Sequence, residues 1–313
     1  MKKALLFPGQ GSQTVGMGKA LFERFASARD VFEEVDAALG QKLSGIIFDG
    51  PQEILTLTEN AQPAIMATSL AVLRVMQKEF GFDLAKEISY VAGHSLGEYS
   101  ALCAAGTFTL ADTARLLRLR GQSMQKAVPA GEGAMAALIG ADFDGARSVA
   151  EEAAQGEVCT VANDNAPGQV VISGTKAAIE RAIEIAKAKG IKRAIMLDVS
   201  APFHCPLMQP AADAMQQALS EVNIATPMVP VVANITAKAE FDPKNIRQLL
   251  VMQVTGMVRW RESIHYLKAQ GVTHAVEVGS GKVLSGMVKR IGPEIECSNI
   301  GTPEDFEAMQ KVA

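Results

Sequence analysis

The chain lacks most of what marks a disulfide-stapled, membrane-spanning or nucleic-acid-binding protein. Its 313 residues include only four cysteines, Cys103, Cys159, Cys205 and Cys297, far apart and without a Cys-x-x-Cys spacing. That argues against a zinc site and a disulfide framework, and a reducing cytoplasm is the expected compartment. No apolar run approaches the roughly 20 residues that cross a bilayer. The start, Met1-Lys2-Lys3 and then only Ala4 to Phe7 before Pro8-Gly9, is too short for the apolar region of a signal peptide. With a net charge of −4 and a pI near 5.7, the chain also lacks the positive surplus of a phosphate-binding surface, so nucleic acid is not expected as the main partner. Two nucleotide fingerprints fail. Thr14 stands where a dinucleotide loop would need its third glycine, and Gly279-Ser280-Gly281-Lys282 is followed by Val283 and preceded by Val276, where a phosphate loop needs Ser or Thr and glycine. No metal and no cofactor is expected.

What is present is enough for a full core. At 48% hydrophobic and 20% charged, the chain should form one large domain, or a large domain with an insert. Lys3 to Phe7 reads as a buried first strand running into Pro8-Gly9-Gln10-Gly11-Ser12-Gln13, a small-residue loop at the carboxyl end where parallel sheets keep their sites.

Gly93-His94-Ser95-Leu96-Gly97 follows the apolar run Ile88 to Ala92 and opens an alanine- and leucine-rich segment, Leu96 to Ala105. Strand, tight turn, helix is the order of a nucleophile elbow, which pushes a serine hydroxyl into the open. Gly93 would take the strained backbone of the turn, and Gly97 would let the helix pack closely on its strand. Asn60 to Phe80 reads as a mostly buried helix beneath the elbow.

Thr109 caps a further helix, with Asp112 placed to reach back. Its apolar stripe runs through Leu110, Thr113, Ala114, Leu117, Gly121 and Met124, and Arg120 falls roughly 50° from the centre of that stripe at about 100° per residue. Arg120 therefore points inward. A guanidinium there needs an anionic partner, either a structural Asp or Glu or a substrate.

Residues 131–197 read as a compact unit of strand, helix, two strands, helix and strand, the ferredoxin-like order, inserted between 1–130 and 198–313. Asn163 to Gly168 reads as its turn. Where the chain leaves that unit, His204 lies between Pro202 and Pro206 in a short constrained loop, a setting suited to a ring held at a fixed angle. Cys205 is a poor nucleophile for its neighbour to serve, because adjacent side chains rarely converge. Pro230 to Asn234 and Val272 to Val278 read as core strands, and Asp242-Pro243 starts a helix that reaches Gln253.

Taken together, the elbow, the inward arginine and the looped histidine resemble the malonyl-CoA:acyl carrier protein transacylase family over nearly the whole chain. The resemblance rests on Phe7 to Gln13, Gly93 to Glu98, Arg118 to Gly121, Gly133 to Ala136, Asn163 to Gly174, Pro202-Phe203-His204 and Glu277-Val278-Gly279. It implies an α/β fold, with a hydrolase-like core around a mostly parallel sheet and a ferredoxin-like small domain. It implies Ser95 as nucleophile and His204 as its base. Gln253 would orient His204 through an oxygen, and the backbone N–H groups of Gln10 and Leu96 would form the oxyanion hole. Arg120 would clamp the malonyl carboxylate, with Asn163, Asn165 and Phe203 counted among the substrate-binding residues. Malonyl-CoA and acyl carrier protein would be the partners, and the protein a monomer. Met257 and Ser280 stand where members of that family carry proline. Basic groups around Lys187, Lys189, Lys192 and Arg193, or Lys282, Lys289 and Arg290, are candidates for docking an acidic carrier protein. Two other readings remain: a serine hydrolase in which Asp198 orients His204, and a non-catalytic acyl-binding module.

Overall fold

The structure, a computed structural model, describes residues 2–310. Among the described residues, ten strands form two sheets that share no strand. The larger contains β1 (Lys2–Phe7), β2 (Tyr90–Gly93), β7 (Val231–Ala233), β8 (Lys238–Glu240), β9 (Val272–Val278) and β10 (Glu296–Ile300). Its order is β10-β9-β1-β2-β7-β8, parallel throughout except where β8 runs back along β7. β1 explains its central place: Ala4 to Phe7 is an unbroken apolar run, fully buried, as a strand covered on both faces requires. Phe7 pairs with Gly93, so the loops leaving β1 and β2 emerge side by side at the carboxyl edge.

The second sheet, of order β4-β5-β3-β6, is antiparallel and lies within Gly133 to Met196. Its strands are β3 (Gly133–Ile139), β4 (Cys159–Ala166), β5 (Gln169–Thr175) and β6 (Arg193–Met196), with the helices Phe143–Ala154 and Lys176–Ala188 packed on one face around Ala136, Leu138, Val149 and Ile172. Asp142 and Thr175 cap these helices through their side chains.

One sequence expectation fails here. Asn163, Asp164 and Asn165 are not turn residues: β4 runs on through Ala166, and only Pro167-Gly168 make the bend. Asn and Asp favour turns through local bonds, but tertiary partners take them instead. The Asp164 N–H donates to the Val258 carbonyl at 3.0 Å, its carboxylate is held by Arg261, and Asn165 bonds His94. Register shifts after Val161 and after Asp164 re-aim these side chains, as bulges do.

Beneath the large sheet's carboxyl edge, the helix Thr58–Glu79 is buried along most of its length and packs against the helices Leu96–Ala104 and Leu110–Lys126. Thr109 caps the latter by accepting the Asp112 N–H at 3.1 Å. Its hydroxyl donates to the Asp112 carboxylate, so the carboxylate meets the side chain rather than the backbone N–H.

Candidate active site

Between β2 and the helix Leu96–Ala104 the backbone bends at Ser95, whose φ of 54° lies where L side chains are rarely found. The strained residue is therefore Ser95 itself, not Gly93, to which the sequence assigned the strain. Gly93 serves close approach instead: a Cβ there would lie 1.9 Å from the Gly97 carbonyl oxygen, and one on Gly97 would lie 2.2 Å from that of Phe7. Asn234 fastens the bend, accepting the Ser95 N–H at 2.8 Å and donating to the Gly93 carbonyl at 2.7 Å.

His204 has a positive φ as well, 58°, in its proline-flanked loop. Its Nε2 lies 2.8 Å from Ser95 Oγ, and its Nδ1 faces the backbone carbonyls of Gln253 and Gly256 at 2.9 and 3.1 Å. A carbonyl oxygen only accepts, so Nδ1 carries the proton and Nε2 is left to accept from the serine hydroxyl. Burial first, and the positive charge of Arg120 second, push His204 down to about 3, which keeps the ring neutral. The orienting oxygen from Gln253 is thus its main-chain carbonyl. Met257 in place of proline does not remove the contact from Gly256. Asp198 is exposed at the same cavity and is not a partner of His204. Cys205 is buried beside it, donates to the Pro202 carbonyl, and has its thiol pushed up by burial.

Arg120 is 1% exposed, inward as its helical phase required. Nη1 donates to Gln62 Oε1 at 2.7 Å, and Nη2 donates to Gln253 Oε1 at 2.9 Å and to Ser95 Oγ at 3.1 Å. The guanidinium also lies against the Tyr99 ring, 5.6 Å from its centroid. All of these partners are neutral, and Nε has no hydrogen-bond partner among the described residues. A buried cation satisfied only by neutral oxygens is poised to take an anion.

Ser95, His204 and Arg120 line one cavity of about 380 Å³, together with Gln10, Asn163, Asn165 and Phe203. That is within the size range of small-molecule sites. Gln253 stands behind Arg120 rather than on the cavity wall. Leu96 is buried, and its N–H, the first of its helix, has no intrahelical acceptor. Asn165 is partly committed, since its Oδ1 accepts from His94 Nε2 at 2.7 Å.

The chain matches known proteins along nearly its whole length. The model of the acyl transferase domain family matches residues 4–296. The chain belongs to that family. It is 47% identical to the malonyl CoA-acyl carrier protein transacylase of Bacillus subtilis, over 98% of this chain and 95% of the relative. Among solved structures, the acyl-carrier-protein S-malonyltransferase of Bartonella henselae matches with a TM-score of 0.97 at 57% identity, covering 100% of this chain and 99% of that one. A malonyl-transacylase solved in complex with a type II PKS acyl-carrier protein matches with a TM-score of 0.96 at 41% identity, covering all of both chains.

Within this acyltransferase, three supporting residues had escaped the sequence reading: Gln62, Asn234 and Glu98. Gln62 was one of several polar residues in a mostly buried helix, and Asn234 the polar end of a strand. Glu98 stood inside the quoted motif without a role. It is 3% exposed and accepts from Gln253 Nε2 at 2.7 Å and from the Asn234 N–H at 3.0 Å.

Proposed function

We propose that the protein moves a malonyl group from malonyl-CoA to the phosphopantetheine thiol of acyl carrier protein through a malonyl ester of Ser95. The observation that carries this reading is Arg120, a buried cation with only neutral partners, 3.1 Å from the serine oxygen. A carboxylate bound there with two parallel hydrogen bonds selects malonyl over acetyl, which would leave the guanidinium unmatched. In the first half-reaction Ser95 Oγ attacks the thioester carbon while His204 Nε2 takes the hydroxyl proton. The backbone N–H groups of Gln10 and Leu96 receive the oxyanion, a contribution of about 3–4 kcal/mol each in comparable sites. The C–S bond then breaks, and the departing CoA sulfur takes the proton back from His204. In the second half the carrier thiol gives its proton to His204 and attacks the ester, and Ser95 leaves with that proton. A carboxylate on Arg120 offsets the charge that helps hold His204 low, so malonyl binding strengthens the base. Phe203, Asn163 and Asn165 complete the acyl pocket.

Several finer readings accompany this one. The large sheet with its flanking helices, 1–130 and 198–313, is a hydrolase-like domain, and 131–197 is a ferredoxin-like small domain. The strand order β4-β5-β3-β6 supports the latter. The protein acts as a monomer in the cytoplasm. Carrier docking is best assigned to Lys282, Lys289 and Arg290, because the helix Val283–Ile291 also gives Val283, Leu284 and Met287 to the cavity. In the other basic group, Lys187 and Lys189 are already paired with Glu184 and Glu152.

Intact-mass analysis after brief exposure to malonyl-CoA, followed by addition of holo-carrier protein, tests the function. The expected result is a malonyl adduct on Ser95 that the carrier discharges into its own mass. Malonate released to water with little transfer would point to a hydrolase. The absence of any adduct would point to a binding module.

A further inference from the structure

We propose that Glu98 sets how strongly this site prefers an acyl group bearing a carboxylate, acting on Arg120 across the side chain of Gln253. The proposal rests on the malonyl-transfer reading. Glu98 lies in the first turn of the helix Leu96–Ala104 and takes no part in the exchange. Its Oε2 accepts from Gln253 Nε2, and Gln253 Oε1 in turn accepts from Arg120 Nη2. One amide therefore stands between a buried carboxylate and a buried guanidinium, its N–H end toward the anion and its oxygen toward the cation. The two charges fix which way the amide is turned, and with it the oxygen that holds Arg120 beside Ser95. Glu98 touches no substrate; it is a positioning residue that also sets charge.

Arg120 carries one positive charge to share between Glu98 and an incoming malonyl carboxylate. An ionised Glu98 weakens the hold on malonyl, and bound malonyl makes Glu98 hold its proton more tightly. Burial pushes the Glu98 carboxyl up to about 7, against the Asn234 N–H, the Gln253 amide and Arg120, so the group changes state near neutrality. Arg120, from the helix Leu110–Lys126, is the one charged side chain among the described residues that acts on it. The helix Pro243–Thr255 presents neutral Gln253, and β2 and β7 carry no charged residue. β1 has its lysines exposed at the far end. On the helix Thr58–Glu79, Glu59 bonds Gln122, Glu79 bonds Ser27 and Lys78 is exposed, while Arg74 acts on Cys103. Tyr99 on the same helix as Glu98 and His204 across the site are kept neutral, chiefly by burial.

The test is the ratio of kcat/KM for malonyl-CoA to that for acetyl-CoA, measured from pH 6 to pH 8. Ionisations of coenzyme A and His204 are common to both substrates and cancel in the ratio. In the native protein the ratio should fall about tenfold across this range. In Glu98→Gln, whose amide oxygen can accept the same two hydrogen bonds, it should stay flat at the low-pH value. A flat native profile, or a slope that survives in Glu98→Gln, overturns the proposal while leaving malonyl transfer intact. A native protein that transfers no malonyl at any pH overturns the functional reading and the proposal together. A second measurement on the native protein does not depend on the variant folding. Acylation by malonyl-CoA at pH 7, followed in weakly buffered indicator, should take up a fraction of a proton per malonyl-enzyme, and acylation by acetyl-CoA none. Equal uptake with both substrates counts against Glu98.

Discussion

Two regions of the molecule hold an arginine against buried groups, and they hold it to opposite ends. At the seam between the small sheet and the helix Trp260–Ala269, Arg261 Nε lies 3.0 Å from both carboxylate oxygens of Asp164, and Nη2 lies 2.8 Å from one of them. Asp164 is 1% exposed, so this pair is closed: each charge already has its partner, and the result is a fastening. In the cavity beside Ser95, Arg120 is as buried as Asp164, whereas the Arg261 side chain is 29% exposed, and Gln62, Gln253 and Ser95 offer Arg120 only neutral oxygens. What separates the two guanidinium groups is the charge of what they touch: a carboxylate for Arg261, neutral oxygens for Arg120.

The sharpest way to break this contrast is Arg120→Ala. Losing the clamp should cut kcat/KM for malonyl-CoA about a thousandfold while acetyl-CoA transfer holds or rises. Parallel losses with both substrates would make Arg120 as structural as Arg261. Arg261→Ala should do the reverse, costing about 3 kcal/mol in urea denaturation by leaving Asp164 buried and unpaired, with malonyl-to-acetyl preference unchanged. A changed preference there would blur the two regions into one. Gln62→Leu, which frees Nη1 without touching the charge, should lower malonyl preference about tenfold.

Smaller still is the effect of Arg120 on its neighbour. Because His204 is held below its ordinary value in the folded state, the unfolded chain binds more protons between about 6.5 and about 3. Stability from this group is therefore complete above about 6.5 and lost as pH falls toward 3. Arg120→Ala should raise the lower edge of that window and so shrink the stability this group loses to acid, seen as a smaller fall in urea-denaturation stability between pH about 6.5 and about 3 than in the native protein. Least of all, Lys282→Glu should raise the KM for carrier protein about threefold by reversing an exposed charge, with the KM for malonyl-CoA unmoved.

Much of the architecture was legible because it follows from periodicity. The buried run of β1, the helix beneath the elbow, the capped helix of Arg120 and the succession of elements in 131–197 all lie where hydrophobic spacing and caps indicated. The inward direction of Arg120 came from helical phase alone. The Asn163 to Asn165 stretch was misread because turn propensity is local, whereas Val258, Arg261 and His94, which draw it into β4, are distant in sequence. Gln253 was expected to reach His204 through an oxygen, and its backbone carbonyl lies 2.9 Å from His204 Nδ1. That its side chain bridges Glu98 and Arg120 could not be inferred from spacing.

The amino-acid order by itself determined the elements, the bend that exposes Ser95, the constrained loop of His204 and the inward phase of Arg120, since each depends on neighbours within a few residues. Tertiary structure alone decided which oxygens face His204 Nδ1, that Arg120 bonds no carboxylate among the described residues, and that Asp164 and Glu98 end with different companions. Those outcomes depend on which groups from remote segments share a low-dielectric interior, where the presence or absence of one opposite charge outweighs any local preference.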